Sequence, residues 1–209
     1  MKKVLLLGSS GFLGGHIQSE LIKKKLLLET PSRKSLNLYS KTSTSNFIKS
    51  RKIKYDYIIN CAAFSGGQSL MQSKPMDMFL NNTKLLQNFI HLCNNLLPKK
   101  IISIGSACSY PDLKKILTED DLWRGRINPM VEGYGLIKKN EIAALDILKK
   151  LTDINYNHYI LTNLYGPHDD FKLETSHVLS ALINKAHKSK KDNSNIEIWG
   201  TGKPVRDFL

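Results

Sequence analysis

The sequence contains few cysteines and no long apolar run, and both shortages exclude classes of protein. Its 209 residues include three cysteines, an odd number of scattered thiols that argues against a disulfide framework. No apolar stretch approaches the roughly 20 residues that a membrane-spanning helix needs. The apolar patch at residues 4–7 is also too short for the core of a signal peptide. We therefore expect a cytoplasmic protein without a membrane segment.

Acidic residues are also scarce, because 18 Asp and Glu stand against 31 Lys and Arg, which gives a net charge of +13. Most of this excess lies in residues 1–60, which hold 12 Lys and Arg and three Asp and Glu. Such a concentration is typical of binding to nucleic acid or another phosphate-bearing ligand, and a solvated lysine-rich surface is the alternative. Zinc-finger spacing, an RNA-recognition aromatic motif and a basic helix before a heptad repeat are all missing. We therefore predict neither a nucleic-acid partner nor a metal site.

Short apolar runs alternate along the chain with longer stretches of helical periodicity. Strands are predicted at residues 4–7, 26–28, 55–61, 101–104 and 156–162, and helices at residues 12–25, 76–95 and 132–151. Strands that alternate with helices indicate an α/β fold, a Rossmann-like doubly wound parallel sheet with helices on both faces. Residues 196–199 predict one more strand. The long segment at residues 106–131 is expected to be a functional loop.

Three glycines follow the first predicted strand at a spacing of three, namely Gly8, Gly11 and Gly14. Glycines in this position permit a tight turn and let backbone amides approach a pyrophosphate at the positive end of the next helix. The segment therefore predicts a dinucleotide site, and a glycine-rich turn without a ligand is the alternative. The G-x-x-G-x-x-G spacing is associated with short-chain dehydrogenases and their extended sugar-nucleotide relatives.

The end of the second strand bears on which dinucleotide is bound. An acidic residue there favours the ribose hydroxyls of NAD, and a basic residue favours the 2′-phosphate of NADP. Arg33 and Lys34, with help from Ser32, provide the basic signal, and Glu29 provides the acidic one. We predict NADP, with NAD as the less favoured cofactor, and exposed loop charges are the alternative interpretation of Arg33 and Lys34.

A catalytic constellation is predicted at the end of the fourth strand and the start of the following helix. Ser106 follows that strand, and Tyr134 and Lys138 form a Tyr-x-x-x-Lys motif on one helical face. The lysine ammonium can lower the pKa of the tyrosine, and the phenol can then exchange a proton with a substrate carbonyl. Ser106 would hydrogen-bond the same carbonyl oxygen. A half-buried core tyrosine is the alternative interpretation of Tyr134.

Longer segments resemble one family closely. Residues 105–111 resemble the Ser/Cys loop of the GDP-L-fucose synthases, and residues 161–169 resemble their Asn-Leu-Tyr-Gly-Pro segment. Residues 176–178 and 199–209 resemble a histidine segment and a late substrate-binding stretch of the same family. These enzymes are GDP-4-keto-6-deoxymannose 3,5-epimerase/4-reductases, extended short-chain dehydrogenase/reductases of the NAD-dependent epimerase/dehydratase family. The resemblance covers the whole chain.

The resemblance implies roles for individual residues. Ser106, Tyr134 and Lys138 would form the reductase triad, and Cys108 and His177 would be the acid/base pair for epimerisation. A thiol and an imidazole are plausible for this chemistry because both can titrate near neutrality. NADPH contacts are implied for Gly8, Ser10, Gly11, Phe12, Leu13, Gly14, Arg33, Leu38, Ala62, Ala63, Tyr134, Lys138, Asn163, Leu164 and His177. GDP-sugar contacts are implied for Lys185, Trp199 and Arg206, although a solvated helix end competes for Lys185.

The chain departs from the family pattern in two ways. Ser10 stands where the family usually carries a basic residue, so that the NADP prediction depends on Arg33 and Lys34. The family also continues well beyond 209 residues. We expect a dinucleotide-binding Rossmann domain at residues 1–165 and the start of a truncated substrate-binding domain at residues 166–209. A homodimer is implied, packed through the helices near residues 76–95 and 132–151.

Two alternative functions remain open at this point. A reductase or epimerase that acts on a related GDP-6-deoxy-4-keto sugar, such as a heptose, would show the same triad. A truncated, non-catalytic NAD(P)-binding remnant is the second alternative, because the chain is shorter than the family. We expect the 209-residue chain on its own to bind cofactor weakly and to turn over poorly.

Overall fold

A five-stranded parallel sheet forms the centre of the computed structural model, which describes residues 1–172, 175–198, 200–203 and 205–209. The strands are β1 (Lys3–Leu7), β2 (Leu27–Glu29), β3 (Tyr57–Asn60), β4 (Lys100–Ile104) and β5 (Asn155–Tyr159). Their order in the sheet is β2-β1-β3-β4-β5, and every neighbouring pair is parallel. The predicted Rossmann-like sheet is therefore confirmed.

Within the residues that the structure describes, six α-helices connect or follow these strands. They are α1 (Phe12–Lys23), α2 (Lys41–Ser50), α3 (Gln68–Ser73), α4 (Pro75–Leu96), α5 (Glu132–Leu151) and α6 (Val178–Asp192). The three predicted helices correspond to α1, α4 and α5, with ends shifted by at most two residues. None of the helices in the described ranges is both long and apolar enough to cross a bilayer.

The two faces of the sheet bury different strand residues, because successive side chains of a strand point in opposite directions. Leu5 and Ile58 belong to a core cluster that includes Phe89 of α4 and Leu145 of α5. On the opposite face, Leu6 is fully buried and belongs to a smaller cluster against which residues of α1 pack. An apolar groove of about 500 Å³ lies on this second face and is lined in part by residues of β4 and β5.

The segment at residues 106–131 is folded back on itself between β4 and α5. Its ends are joined by an isolated antiparallel bridge between Pro111 and Ile127. In its middle, the buried carboxylate of Asp121 accepts hydrogen bonds from Lys115 Nζ at 2.6 Å and from Thr118 N at 3.1 Å. Asp121 therefore holds this loop in shape.

Three strand predictions differ from the structure by more than one residue, and the first of these is β3, which spans Tyr57–Asn60 rather than residues 55–61. β5 ends at Tyr159 rather than at residue 162, because Asn163 leaves the sheet and forms an isolated parallel bridge with Phe208. Residues 196–198 do not form a strand, and Ile196 and Ile198 are exposed, so that their alternation has no face to bury. Trp199, the last residue of that predicted strand, lies outside the described residues.

Candidate functional site

The candidate site lies at the carboxyl ends of β1, β3 and β4. β1 is an internal strand of the sheet, with β2 on one side and β3 on the other. The chain therefore leaves β1 in one direction and later returns on its other side, which creates a crevice at the strand ends. Gly8, Cys61 and Gly105 directly follow these three strands.

Two glycines of the G-x-x-G-x-x-G segment are required by packing. Gly8 has a φ of +77°, and a Cβ there would lie 2.7 Å from the backbone nitrogen of Ala62. A Cβ on buried Gly14 would lie 2.0 Å from the carbonyl oxygen of Gly8. At Gly11, the residue that caps α1, a Cβ would lie 3.4 Å from that oxygen, which is ordinary contact. Packing therefore leaves Gly11 replaceable, and the close approach of a ligand is the remaining reason for glycine there.

A cavity of about 490 Å³ opens above this loop and suits a dinucleotide. Seven of the predicted cofactor residues line it, namely Gly8, Ser10, Gly11, Arg33, Leu38, Ala62 and Ala63. Phe12, Leu13 and Leu164 line the apolar groove on the α1 face instead. The glycine cradle and the polar cavity wall fit a pyrophosphate at the amino end of α1.

Glu29, the acidic residue at the end of β2 that would favour NAD, is paired with other residues of the protein. One carboxylate oxygen of Glu29 accepts hydrogen bonds from Arg51 Nε at 2.9 Å and Nη2 at 2.5 Å. The other oxygen accepts from the Tyr55 hydroxyl at 2.5 Å. Burial and the Glu29 carboxylate both raise the pKa of Tyr55, so that its phenol remains a donor. Glu29 is thus committed to Arg51 and Tyr55, and Arg33 on the cavity wall remains as the charged signal.

Ser106, Cys108 and Tyr134 are brought together where β4 meets the start of α5. Ser106 Oγ accepts a hydrogen bond from Cys108 N at 3.2 Å and caps the short turn at Ala107–Ser109. That turn lies directly against α5, because a Cβ on Gly135 would be 2.1 Å from the carbonyl oxygen of Cys108. Gly135 therefore permits the close approach that places Tyr134 beside the Ser/Cys turn.

Lys138 is buried one helical turn beyond Tyr134, and its ammonium lies 5.9 Å from the centroid of the tyrosine ring. The ammonium donates hydrogen bonds to Ile104 O at 2.8 Å and to Glu141 Oε2 at 3.1 Å. Burial raises the pKa of Tyr134 and outweighs the lowering effect of Lys138. The predicted influence of the lysine thus has the right sign, but the net shift of the tyrosine pKa is upward.

The environment of Cys108 does not move the pKa of its thiol toward neutrality. Burial raises the pKa of the Cys108 thiol, and the hydrogen bond from Ser106 opposes this effect only in part. The thiol is therefore protonated at neutral pH and is suited to give up a proton rather than to accept one.

His177 comes from a different part of the chain, at the residue that precedes α6. The segment before it is held against the loop after β3, because Gly67 N donates to Thr175 O at 2.8 Å. A Cβ on Gly67 would lie 2.2 Å from Ser176 O, so that this contact requires glycine.

Asn163, Lys185 and Arg206 do not line the cofactor cavity. Asn163 Nδ2 donates to Asp207 O at 2.9 Å, in the segment near the end of the chain. Lys185 Nζ donates to Glu197 O at 2.9 Å, and the exposed Arg206 donates to the adjacent carbonyl of Val205. Trp199 lies outside the described residues. Lys185 and Arg206 line neither the cofactor cavity nor the apolar groove.

Comparison with known proteins identifies the family. A model of the NAD dependent epimerase/dehydratase family matches residues 4–209. The chain belongs to this family.

Relatives in the family include enzymes named for GDP-sugars. GDP-L-fucose synthase of Escherichia coli (strain K12) is 32% identical over 213 residues, which cover 100% of this chain and 65% of the relative. GDP-L-colitose synthase of Yersinia pseudotuberculosis is 30% identical over 210 residues, which cover 99% and 68%. The crystal structure of a GDP-L-fucose synthetase from Naegleria fowleri bound to NADP superimposes with a TM-score of 0.83 at 26% identity, covering 100% of this chain and 68% of that one. The chain thus spans about two thirds of the length of these relatives.

Several residues around the family triad were not predicted from the sequence. Glu141 pairs with Lys138, and Asn60 and Ser103 donate to Glu141 from β3 and β4. His158 of β5 hydrogen-bonds Ser103. The available signal was a polar residue inside an apolar strand, such as Ser103 between Ile102 and Ile104, because a buried polar group needs a partner.

Proposed function

We propose that this chain carries the cofactor site and the catalytic groups of an NADPH-dependent GDP-sugar epimerase/reductase. The substrate we assign is GDP-4-keto-6-deoxymannose, which would be converted to GDP-L-fucose by 3,5-epimerisation and 4-keto reduction. One observation carries the proposal: Gly135 allows the Ser106–Cys108 turn to contact α5 beside Tyr134. A simple reductase needs the serine and the tyrosine, whereas the thiol in the same turn supplies a further proton-transfer group.

In the reduction, this chain supplies the proton and the positioning. The Tyr134 phenol, kept protonated by burial, donates to the 4-keto oxygen, and Ser106 Oγ donates a hydrogen bond to the same oxygen. Lys138 places a positive charge close to the tyrosine ring. The dinucleotide, when bound, supplies a hydride to C4.

Epimerisation needs two groups on opposite faces of the carbon next to the ketone. One group removes the proton while the ketone oxygen takes up enolate charge, and the other group returns a proton from the opposite face. The protonated thiol of Cys108 suits the returning step, which assigns proton removal to His177. Tyr134 and Ser106 stabilise the enolate oxygen by hydrogen bonding.

A C4 reductase that does not epimerise is the second candidate. Reduction uses Ser106, Tyr134 and Lys138 and needs no base, so that the protonated thiol of Cys108 is compatible with this function too. A related GDP-6-deoxy-4-keto sugar, such as a heptose, would then be reduced by the same Ser106, Tyr134 and Lys138.

The deciding experiment measures NADPH oxidation and product stereochemistry with GDP-4-keto-6-deoxymannose and with a GDP-6-deoxy-4-keto heptose. We expect the first sugar to give GDP-L-fucose, Tyr134→Phe to abolish reduction, and Cys108→Ser and His177→Asn to reduce without inversion. Unchanged product stereochemistry in both of the last variants would refute the epimerase role. NADPH binding without turnover of either sugar would support the non-catalytic alternative.

The domain division and the dimer remain proposals that accompany this function. Residues 1–165 would form the dinucleotide-binding unit, and residues 166–209 would begin the substrate-binding part. We place the dimer contact on α4 and α5, which expose Leu80 and Ile147 on helices that pack against each other. Light scattering of the wild type and of Leu80→Glu checks this assignment, because a charged side chain in the contact should yield monomers.

A further inference from the structure

A row of polar side chains crosses the middle of the sheet beneath α5. Asn60 of β3 pairs in register with Ser103 of β4, and Ser103 pairs in register with His158 of β5. Paired residues of neighbouring strands point to the same face of a sheet. Glu141 of α5 lies over this row and is 3% exposed. The row therefore places hydrogen-bond donors under a single buried carboxylate.

Every polar neighbour of Glu141 in this cluster donates to it. Oε1 accepts from Asn60 Nδ2 at 3.0 Å and from Ser103 Oγ at 2.7 Å. Oε2 accepts from Lys138 Nζ at 3.1 Å. Hydrogen bonds that favour the charged form offset the cost of burying a carboxylate. Although burial opposes ionisation, the Lys138 ammonium and the hydrogen bond from Ser103 lower the pKa of Glu141, so that it is a buried carboxylate anion.

The direction of the Ser103 hydrogen bond fixes the state of His158. Because a serine hydroxyl has one hydrogen and Ser103 gives it to Glu141, Ser103 must accept from His158 Nδ1, 2.9 Å away. Burial lowers the pKa of His158, which is therefore a neutral imidazole protonated on Nδ1. Its Nε2 lies against Gly105, where a Cβ would come within 2.2 Å. His158 thus supports the anion through Ser103 without adding a charge.

We propose that Glu141 is a positioning residue that holds the Lys138 ammonium charged and in place beside Tyr134, a role that rests on the reductase function proposed above. Two of the three ammonium hydrogens are directed to Glu141 and to the carbonyl of Ile104. The ammonium is buried, and removing one partner of such a pair leaves an uncompensated charge. Glu141 supplies that partner and takes no part in contacting the substrate.

The charge of Glu141 also governs when the catalytic pair loses its first proton. Tyr134 and Lys138 titrate as a coupled pair, so that the first loss belongs to the pair and not to either group. The other ionisable groups that act on the pair or on Glu141 are Cys108, Cys61, Cys93 and His158. Removing the negative charge of Glu141 makes the first proton easier to lose, whichever group releases it. The alkaline limb of a reduction that needs the phenol and the ammonium therefore moves to lower pH.

The first test observes Lys138 directly and does not require turnover. The side-chain amine of Lys138 is followed by lysine-selective NMR against pH in the full chain, with its signal assigned by Lys138→Arg. We expect Glu141→Gln to lose the ammonium form at lower pH than the wild type, and Glu141→Asp to lie between them. Glu20→Gln is the matched control, because it makes the same chemical change on the exposed surface of α1. If Glu141→Gln does not fold, Glu141→Asp is the second variant, because it withdraws the carboxylate from the ammonium and should shift the signal in the same direction by a smaller amount.

The second test records the pH dependence of kcat for NADPH-dependent reduction. We expect the alkaline limb to move to lower pH in Glu141→Gln and to return toward the wild-type position in Glu141→Asp. An unchanged Lys138 titration in both Glu141→Gln and Glu141→Asp would overturn the proposal. If the titration shifts while neither keto sugar is reduced, the proposed function fails and the assignment of Glu141 as the partner that keeps Lys138 charged stands.

Discussion

Replacing Gly14 by alanine should destabilise the protein, whereas the same change at the neighbouring Gly15 should stabilise it. Both glycines lie in α1, and alanine favours a helix over glycine by roughly 1 kcal/mol at each position. The surroundings differ, because a Cβ on Gly14 would lie 2.0 Å from Gly8 O, while a Cβ on Gly15 would lie 3.7 Å from Ser9 O. The pair therefore separates helix propensity from the packing of the phosphate loop.

The magnitude follows from these two distances. Cβ contacts below 3.0 Å are essentially never found, whereas the Cβ added by Gly14→Ala would lie 2.0 Å from Gly8 O. Gly14→Ala must therefore push the backbone of Gly8 away until this distance reaches at least 3.0 Å. Overpacking against backbone lowers the free energy of unfolding by about 3 kcal/mol. The higher helix propensity of alanine returns roughly 1 kcal/mol, so that Gly14→Ala should lose ~2 kcal/mol of unfolding free energy. Gly15→Ala keeps the gain, and the two variants should differ in unfolding free energy by ~3 kcal/mol.

Urea denaturation followed by far-ultraviolet circular dichroism measures both unfolding free energies, and quenching of protein fluorescence by NADPH measures cofactor affinity. Gly14→Ala should also bind NADPH more weakly, since the displaced Gly8 carbonyl belongs to the cavity wall. Gly15→Ala should bind it as the wild type does. Equal stability of the two variants, or a less stable Gly15→Ala, would refute the packing argument for the loop.

Three further predictions concern the cofactor, the loop and the thiol. Arg33→Ala should weaken NADPH binding by about 10- to 100-fold, which corresponds to the loss of a charge-assisted hydrogen bond, and should leave NADH binding unchanged. Lys34 does not line the cavity, so that Lys34→Ala should change the binding of neither dinucleotide. Because Lys115 and the Thr118 backbone lower the pKa of Asp121, its stabilisation is present above about pH 4 and is lost as the pH falls through the lowered value. The melting temperature of Asp121→Asn should therefore fall below the wild-type value at neutral pH and converge with it in acid, while exposed Asp120→Asn should match the wild type throughout. The rate of Cys108 alkylation, measured by mass spectrometry of its peptide, should be lower than that of free glutathione at pH 7 and should rise about tenfold per pH unit. A fast reaction at neutral pH would contradict the proton-donor role assigned to the thiol.

The sheet and its main helices could be predicted because their signals are local. A buried parallel strand is a short apolar run, and a helix such as α4 repeats its buried positions at helical spacing. α2 was missed because its ten residues bury only Thr44 and Phe47, which is too few for a periodic signal. Its amino end is instead fixed by Ser40, whose hydroxyl accepts from Ser43 N at 3.2 Å. Capping and tertiary contact, rather than amphipathicity, define this helix.

Glu29 shows how a residue that favours one cofactor in the sequence can be paired with other residues once the chain has folded. Glu29 and Arg33 stand four residues apart and favour different dinucleotides when the sequence is considered alone. Folding places Arg51, from the end of α2, and Tyr55 against Glu29, and these two residues occupy both of its carboxylate oxygens. Neither residue is near Glu29 in the sequence, so that the sequence alone could not show that the Glu29 carboxylate is already paired. The same contacts leave Arg33 on the cavity wall.

The polar row beneath α5 is hidden from sequence patterns for a geometric reason. Ser103 and Glu141 are 38 residues apart, and Asn60 and Glu141 are 81 residues apart, so that no local spacing relates them. Only the register of β3, β4 and β5 places Asn60, Ser103 and His158 side by side, and a shift of one residue would turn each of them to the other face. A buried polar network costs stability when any member lacks a partner. Because the register that satisfies Glu141 also gives the buried Lys138 ammonium an anionic partner, the same strand pairing determines both the packing of the sheet and the charge at the candidate catalytic site.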